Sequence, residues 1–226
     1  MIDFDKIWVE KYRPTTLDDI ILDERTLKQV KEFKEEIPNL LFVGNPGTGK
    51  TTLARIIVND VLGCNYLYIN ASDESGIDTI RHSITNFAQT KSFDGKVKVV
   101  ILDEADGLTT QAQSALRNTM ETYAKYCRFI LTANYKHKII PALQSRCQAL
   151  DIKPVVERAV KRCYNILKNE NITVPEEQKK KFIQLVKRHF PDLRKTINEL
   201  QKNIIDSELC IVSVTGDNEL LEAVYK

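Results

Sequence analysis

The chain has 226 residues, enough for one large domain or two modest ones, and its 42% hydrophobic and 28% charged residues carry no sign of disorder. A formal charge of +2 excludes a protein that is basic as a whole, so any affinity for nucleic acid must reside in local patches. Five cysteines, Cys64, Cys127, Cys147, Cys163 and Cys210, never form a C-x-x-C pair; neither a disulfide framework nor a zinc site is expected, which fits a reducing compartment. The first residues are acidic where a secretion signal is basic, and no apolar run approaches the ~20 residues of a membrane helix, so a soluble intracellular protein is expected.

Residues 1–38 hold Trp8-Val9-Glu10-Lys11-Tyr12-Arg13-Pro14, then Thr16-Leu17-Asp18-Asp19-Ile20-Ile21, then a helical stretch from about 23 to 35. Pro14 fixes an extended turn, and Asp23 has the chemistry of a helix N-cap. Leu40-Leu41-Phe42-Val43 predicts a short buried strand, and residues 53–58 have helical spacing.

Between them lies Gly44-Asn45-Pro46-Gly47-Thr48-Gly49-Lys50-Thr51-Thr52, the G-x-x-x-x-G-K-T pattern in the strand, loop and helix order that a phosphate-binding loop requires. Its glycines let successive N–H groups curve around a phosphate, and the helix starting near Lys50 adds its positive end. Lys50 reaches the β- and γ-phosphates of ATP, and the Thr51 hydroxyl completes a Mg²⁺ shell.

Residues 66–70 read as a second strand, 72–76 as a polar loop and 78–88 as a helix, followed by a third strand over 97–102. That strand runs into Asp103-Glu104-Ala105-Asp106, two adjacent carboxylates where open α/β sheets bind ligands. Asp103 holds Mg²⁺ through water, and Glu104 polarises the attacking water as general base. The letters D-E-A-D do not by themselves indicate a helicase.

A helix over 109–123 and a fourth strand over 128–132 end at Asn134, either a hydrogen-bond donor to the γ-phosphate or the attacking water, or a turn former. A fifth strand covers 148–152, after which Lys153-Pro154 breaks the alternation. Helices are expected over 155–169, 175–189, 192–204, 207–212 and 217–225. The run Lys179-Lys180-Lys181 reads as a solvated helix face. The expected architecture is an α/β P-loop domain with a five-stranded parallel sheet over 1–153, and a small all-helical domain over 154–226.

Assembled, these pieces resemble a replicative clamp-loader ATPase of the AAA+ superfamily over essentially the whole chain. Residues 8–14 resemble the W-x-E-K-Y-R-P box that opens replication factor C small subunits, and Ser145-Arg146-Cys147 resembles that family's S-R-C motif. Residues 191–198, Pro-Asp-Leu-Arg-Lys-Thr-Ile-Asn, resemble its second sensor helix. Thr85-Asn86-Phe87-Ala88, Ser92-Phe93-Asp94-Gly95 and Phe190-Pro191-Asp192 are also similar to the ATPase subunit of T4-type phage clamp loaders, which points to a viral relative.

The resemblance implies an adenine-binding box over 4–22, with Val9, Tyr12, Arg13, Pro14, Ile20 and Ile21 around the base and ribose. It makes Asn134 the first sensor, Arg194 the second, and Arg146 an arginine finger acting on a neighbour's ATP. It further implies a ring of five subunits, a sliding clamp, and primer-template DNA held by its phosphates at Arg81, Thr110, Gln111 and also Gln113. In the family a helical collar follows, and this chain stops at Lys226, where that collar would begin. The competing readings are a non-hydrolysing scaffold subunit and another AAA+ machine such as a branch-migration helicase.

Overall fold

The computed structural model describes residues 7–73, 77–90 and 95–211, with the side chains of 77–81 outside that description. Two compact units emerge: Arg13–Val155, and a helical unit that joins Val156 onward to the segment ending at Tyr12. The expected division after 153 is therefore corrected by two residues, and Trp8 to Tyr12 group with the helices, where their side chains find partners.

In chain order the elements are helix α1 (Trp8–Lys11), α2 (Glu24–Glu32), β1 (Leu40–Val43), α3 (Lys50–Ile56), β2 (Tyr66–Asn70), α4 (Ile77–Gln89), β3 (Lys98–Asp103) and α5 (Thr110–Thr122). Then follow β4 (Cys127–Ala133), α6 (Pro141–Gln144), β5 (Gln148–Asp151), α7 (Val156–Asn169), α8 (Gln178–His189), α9 (Leu193–Lys202), β6 (Ile204–Ile205) and β7 (Glu208–Leu209).

The sheet unit is organised on five parallel strands in the order β2-β3-β4-β1-β5. Every residue of β3 is buried, as a central strand covered on both faces requires. Because side chains alternate, Leu40, Phe42, Val99, Ile101 and Ile130 enter one apolar layer with Val30 and Phe33 beside α3's Leu53 and Ile56. Leu41, Val100, Leu102, Phe129 and Leu131 enter the other, with Ile84 of α4 and Ala112, Leu116 and Met120 of α5. Each fully buried Leu or Ile contributes about 1.5–3 kcal/mol of transfer free energy, so the two layers dominate the stability of this unit.

Local signals set the helix ends. Asp23 caps α2 by accepting from the Thr26 N–H at 3.0 Å, and the Thr109 side chain caps α5 by accepting from the Ala112 N–H. The consequence for the site is geometric: β1, β4 and β3 are successive neighbours, so their carboxyl ends open side by side.

In the helical unit, α7, α8 and α9 bury Ala159, Cys163, Ile166, Leu167, Phe182, Val186 and Leu200. Asp192 caps α9 through the Lys195 N–H, as the sequence suggests, whereas α8 begins three residues after Pro175, at Gln178. The expected helix over 207–212 is a correction: β6 and β7 form an antiparallel hairpin there. Asp206 and Ser207 both take positive φ, 47° and 62°, and such a turn between Ile204-Ile205 and Glu208-Leu209 matches the twist of a two-residue hairpin. The expected helix over 217–225 lies outside the described residues. Among the described residues no helix is long and apolar enough to cross a membrane.

Candidate active site

The loop after β1 is built around close backbone approach. A Cβ on Gly44 would lie 2.8 Å from the Ile152 carbonyl oxygen, so no side chain fits there. Gly49 caps α3 at φ 95°, a conformation that L side chains rarely adopt, and Ile20 packs beside it. Thr48 is buried and donates to the Asn45 carbonyl at 2.9 Å, which folds Asn45 to Thr48 into a tight turn; Pro46 sits exposed at its tip. Gly47 turns with φ 74°, and Thr52 follows in the first turn of α3.

Lys50 is only 8% exposed, and its ammonium donates to the carbonyls of Gly44 and Asn45 at 2.9 Å each and to Asn134 Oδ1 at 2.7 Å. The loop on β1 and the residue after β4 are thereby joined through one cation. Asn134 is held in turn by Asp106, whose Oδ2 accepts from the N–H groups of Asn134 and Tyr135 at 3.1 Å.

Asp103 is 7% exposed at the end of β3 and is surrounded by hydroxyl donors. Thr51 Oγ1 lies 2.8 and 2.9 Å from its two carboxylate oxygens, the Tyr68 phenol donates to Oδ2 at 2.8 Å, and the Thr132 hydroxyl donates to Oδ1. Burial, and then the bond to the Asp103 carboxylate, push the Tyr68 phenol up to about 12. Thr51 and Asp103 are hard oxygen donors side by side, a pair that suits Mg²⁺ held by one or two protein oxygens.

Glu104 is exposed and takes the left-handed conformation at φ 54°, ψ 42°. A non-glycine residue there carries about 1–3 kcal/mol of strain, a kind of strain that clusters at functional sites. Its N–H donates to Thr132 Oγ1 at 3.0 Å, and its Oε2 accepts from the Ser72 hydroxyl at 2.6 Å. The turned backbone directs the Glu104 carboxylate to solvent while Asp103 stays inside. Two hydrogen-bonded sets thus meet at the adjacent residues Lys50 and Thr51: Lys50 with Asn134, and Thr51 with Asp103, to which Glu104 is joined through Thr132.

Tyr68, Ser72, Asp106 and Thr132 are absent from the sequence expectation. Of these only Asp106 stands in a pattern, the last letter of D-E-A-D; the other three are ordinary strand and loop residues until the sheet is assembled.

Arg146 is exposed, and the described bonds of its guanidinium go to Glu121 and Ala142, not to these residues. Its Nε donates to Glu121 Oε1 at 2.7 Å, its Nη2 donates to the same oxygen, and its Nη1 donates to the Ala142 carbonyl at 2.8 Å. Next to it, burial pushes the Cys147 thiol up to about 12. Thr110 and Gln111 are exposed in the first turn of α5, whereas Gln113 is 2% exposed and bonded to three backbone groups. Gln113 is thus corrected from a DNA contact to an internal clamp. The Arg81 side chain lies outside the described residues.

Of the box residues, Arg13, Pro14, Ile20 and Ile21 belong to the sheet unit, with Ile20 and Ile21 buried. Val9 and Tyr12 belong to the helical unit. There Trp8 N–H donates to Gln201 Oε1 at 3.1 Å, the Tyr12 phenol donates to Glu170 Oε1 at 2.5 Å, and Lys11 pairs with the same oxygen at 2.6 Å. Burial, and then the Glu170 bond, raise the Tyr12 phenol to about 12. Arg194 is exposed on α9, in a cleft it lines with Asp192, Asn198 and Gln201.

Comparison with known proteins matches this geometry to families. The ATPase family associated with various cellular activities (AAA) matches residues 40–154, and the sliding-clamp-loader large subunit, AAA+ ATPase lid domain, matches 151–209. The replication factor C small subunit of Archaeoglobus fulgidus is 45% identical, with 87% of this chain and 63% of that protein covered. The small subunit of Methanococcus maripaludis strain C7 is 43% identical over 98% of this chain and 69% of its own length. Subunit 3 of Blastobotrys adeninivorans is 42% identical over 95% of this chain and 63% of its own.

This chain spans 63–64% of the length of several such relatives. Among solved structures, the Thermotoga maritima RuvB Holliday junction branch migration motor aligns with a TM-score of 0.67 at 20% identity, covering 85% of this chain and 64% of that one, a likeness of fold alone. With the AAA match over 40–154 and a relative 43% identical across 69% of its own length, the chain belongs to the AAA ATPase family and, within it, to the replication factor C small subunits.

Proposed function

We propose that this chain is an ATP-hydrolysing subunit of a loader that places a sliding clamp on primer-template DNA. ATP binding drives assembly with other loader subunits around clamp and DNA, and hydrolysis releases the loaded clamp. The observation that carries this reading is the joining of Lys50, Thr51, Asp103, Glu104 and Asn134 across the ends of β1, β3 and β4, in a chain 42–45% identical to replication factor C subunits.

In this reading the loop N–H groups and the Lys50 ammonium bind the phosphates. Thr51 and Asp103 hold Mg²⁺, which when bound offsets charge on the β- and γ-phosphates. Glu104 accepts the proton of the attacking water, with the Ser72 hydroxyl orienting its carboxylate. Asn134, fixed by Asp106, orients that water or the γ-phosphate. Val9, Tyr12, Arg13, Pro14, Ile20 and Ile21 bind adenine and ribose, and Arg194 senses the γ-phosphate.

Arg146 acts on the ATP of a neighbouring subunit, so turnover depends on assembly. Its exposure supports this: among its described bonds, three of the five guanidinium N–H groups are used, leaving one on each terminal nitrogen for a partner. Thr110 and Gln111, with Arg81, hold DNA phosphates and position the duplex without reading its sequence. The presence of Lys50, Glu104 and Arg146 together favours a motor over a scaffold that binds nucleotide without hydrolysing it.

The test is phosphate release by the chain assembled with its partner subunits. Addition of the clamp and primed DNA should stimulate hydrolysis. A rate indifferent to both would defeat the loader reading, and strand unwinding without any clamp would favour a helicase.

A further inference from the structure

A carboxylate at a strand end turns freely about its terminal torsion, because that torsion has broad, weak minima. Asp103 is the exception that needs explaining, since each of its oxygens is met from a different side. Thr132 on β4 donates to Oδ1 and Tyr68 on β2 donates to Oδ2 at 2.8 Å, while Thr51 touches both. Asn70 pairs with Asp103 in the sheet, and Tyr68 is two residues before Asn70 on the same face, so its long side chain reaches diagonally to the strand end.

The phenol ring is itself clamped. Arg55, one turn after Thr51 on α3, stacks its guanidinium 4.7 Å from the ring centroid, and among the described residues the buried Arg55 Nε has no hydrogen-bond partner. The stacked cation is attracted to the face of the ring and holds the ring in place. Helix α3 thus brings Thr51 to the carboxylate and Arg55 to the ring that steadies it.

We propose that Tyr68 is a positioning residue for the magnesium site, fixing the Asp103 carboxylate through the Oδ2 bond so that it and Thr51 present their oxygens together; this rests on the ATPase reading above. Thr51 would offer a metal ion an oxygen lone pair and keep its single O–H for the carboxylate, where it lies between both oxygens and favours neither. The two flanking hydroxyls, one for each oxygen, are the donors that tell the two oxygens apart and set the carboxylate plane. Tyr68 touches neither nucleotide nor metal in this scheme, and its effect passes through Asp103.

Tyr68→Phe tests it, because the ring and its place under the Arg55 guanidinium are kept while the hydroxyl, with its bond to Asp103 and its interaction with Arg55, is lost. The readout is binding of a fluorescent ATP analogue by the full chain at increasing Mg²⁺, beside the same titration in EDTA and a thermal melt. Losing a partner of a metal-binding carboxylate weakens metal binding by about 10-fold or more. Half-saturation should therefore move to about 10-fold higher Mg²⁺, with EDTA affinity and melting unchanged.

An unmoved Mg²⁺ midpoint in Tyr68→Phe, beside a Mg²⁺-dependent wild type, overturns the inference and leaves the ATPase reading standing. An equal loss of affinity in EDTA also overturns it, since Tyr68 would then act on the loop and not on the metal. A wild type whose nucleotide binding ignores Mg²⁺ overturns the ATPase reading, and this inference with it.

Discussion

Gln113 separates a structural role from a surface one at a helix end where sequence alone offers both. Its Nε2 donates to the Leu108 carbonyl at 3.1 Å and the Lys138 carbonyl at 2.9 Å, and its Oε1 accepts from the Ile140 N–H at 2.8 Å. Gln113→Leu keeps the volume, removes these bonds and strands three backbone groups. A stranded buried group costs about 1–3 kcal/mol, but Lys138 is exposed and water can reach part of this turn, so a total near the low end, about 3–5 kcal/mol, is expected.

Against a total stability of about 5–15 kcal/mol that is a large fraction, and at about 2–4 °C per kcal/mol it lowers the melting temperature by roughly 10 °C. The assay is a thermal and guanidinium melt of the purified chain. The control is Gln111→Leu, two residues earlier and exposed, which should stay within about 0.5 kcal/mol of wild type. Equal melting of the two variants would refute the clamp assigned to Gln113.

The remaining predictions concern the exposed arginine and the docked N-terminal helix. Arg146→Ala should leave ATP affinity nearly intact and lower stimulated turnover of the assembled loader by about 10³-fold or more; parallel loss of ATP binding would mean that Arg146 serves its own subunit's site. Hydrogen bonds from Lys11 and Tyr12 hold the Glu170 carboxyl below its ordinary range. A depressed folded-state value stabilises the protein above the unfolded pKa, and that contribution is lost as pH falls through the folded one. Trp8, the single tryptophan and 6% exposed, should therefore shift its emission to longer wavelength below about pH 4. Glu170→Gln should remove that acid transition, and its persistence in the variant would contradict the docking role.

The sheet was legible because its signals are local. Short apolar runs bounded by turns identify buried strands, and the five expected strands agree with β1 to β5 to within a residue or two at each end. The places of Lys50, Thr51, Asp103 and Glu104 at the strand ends were legible for the same reason, since loop and carboxylate pair follow such strands directly. Tyr68 and Thr132 were not, because their importance depends on strand order: they flank Asp103 only once β2 and β4 take their places beside β3.

Gln113 was misread because a polar residue in a helix's first turn looks the same in sequence whether it faces solvent or the interior. The hairpin over 204–209 was missed because its turn is set by positive φ at Asp206 and Ser207, which neither residue type demands. Trp8 to Tyr12 were assigned to the sheet domain by proximity in sequence, yet their bonds run to Glu170 and Gln201.

The central claim is that the residues gathered at the ends of β1, β3 and β4 hydrolyse ATP with Glu104 as base. Its most direct test is Glu104→Gln, which keeps the side chain's length and its oxygen for Ser72 but removes the basic carboxylate. ATP affinity should stay near wild type, while phosphate release by the assembled loader with clamp and primed DNA falls by about 10²–10⁴-fold. Turnover at the wild-type rate would contradict the account.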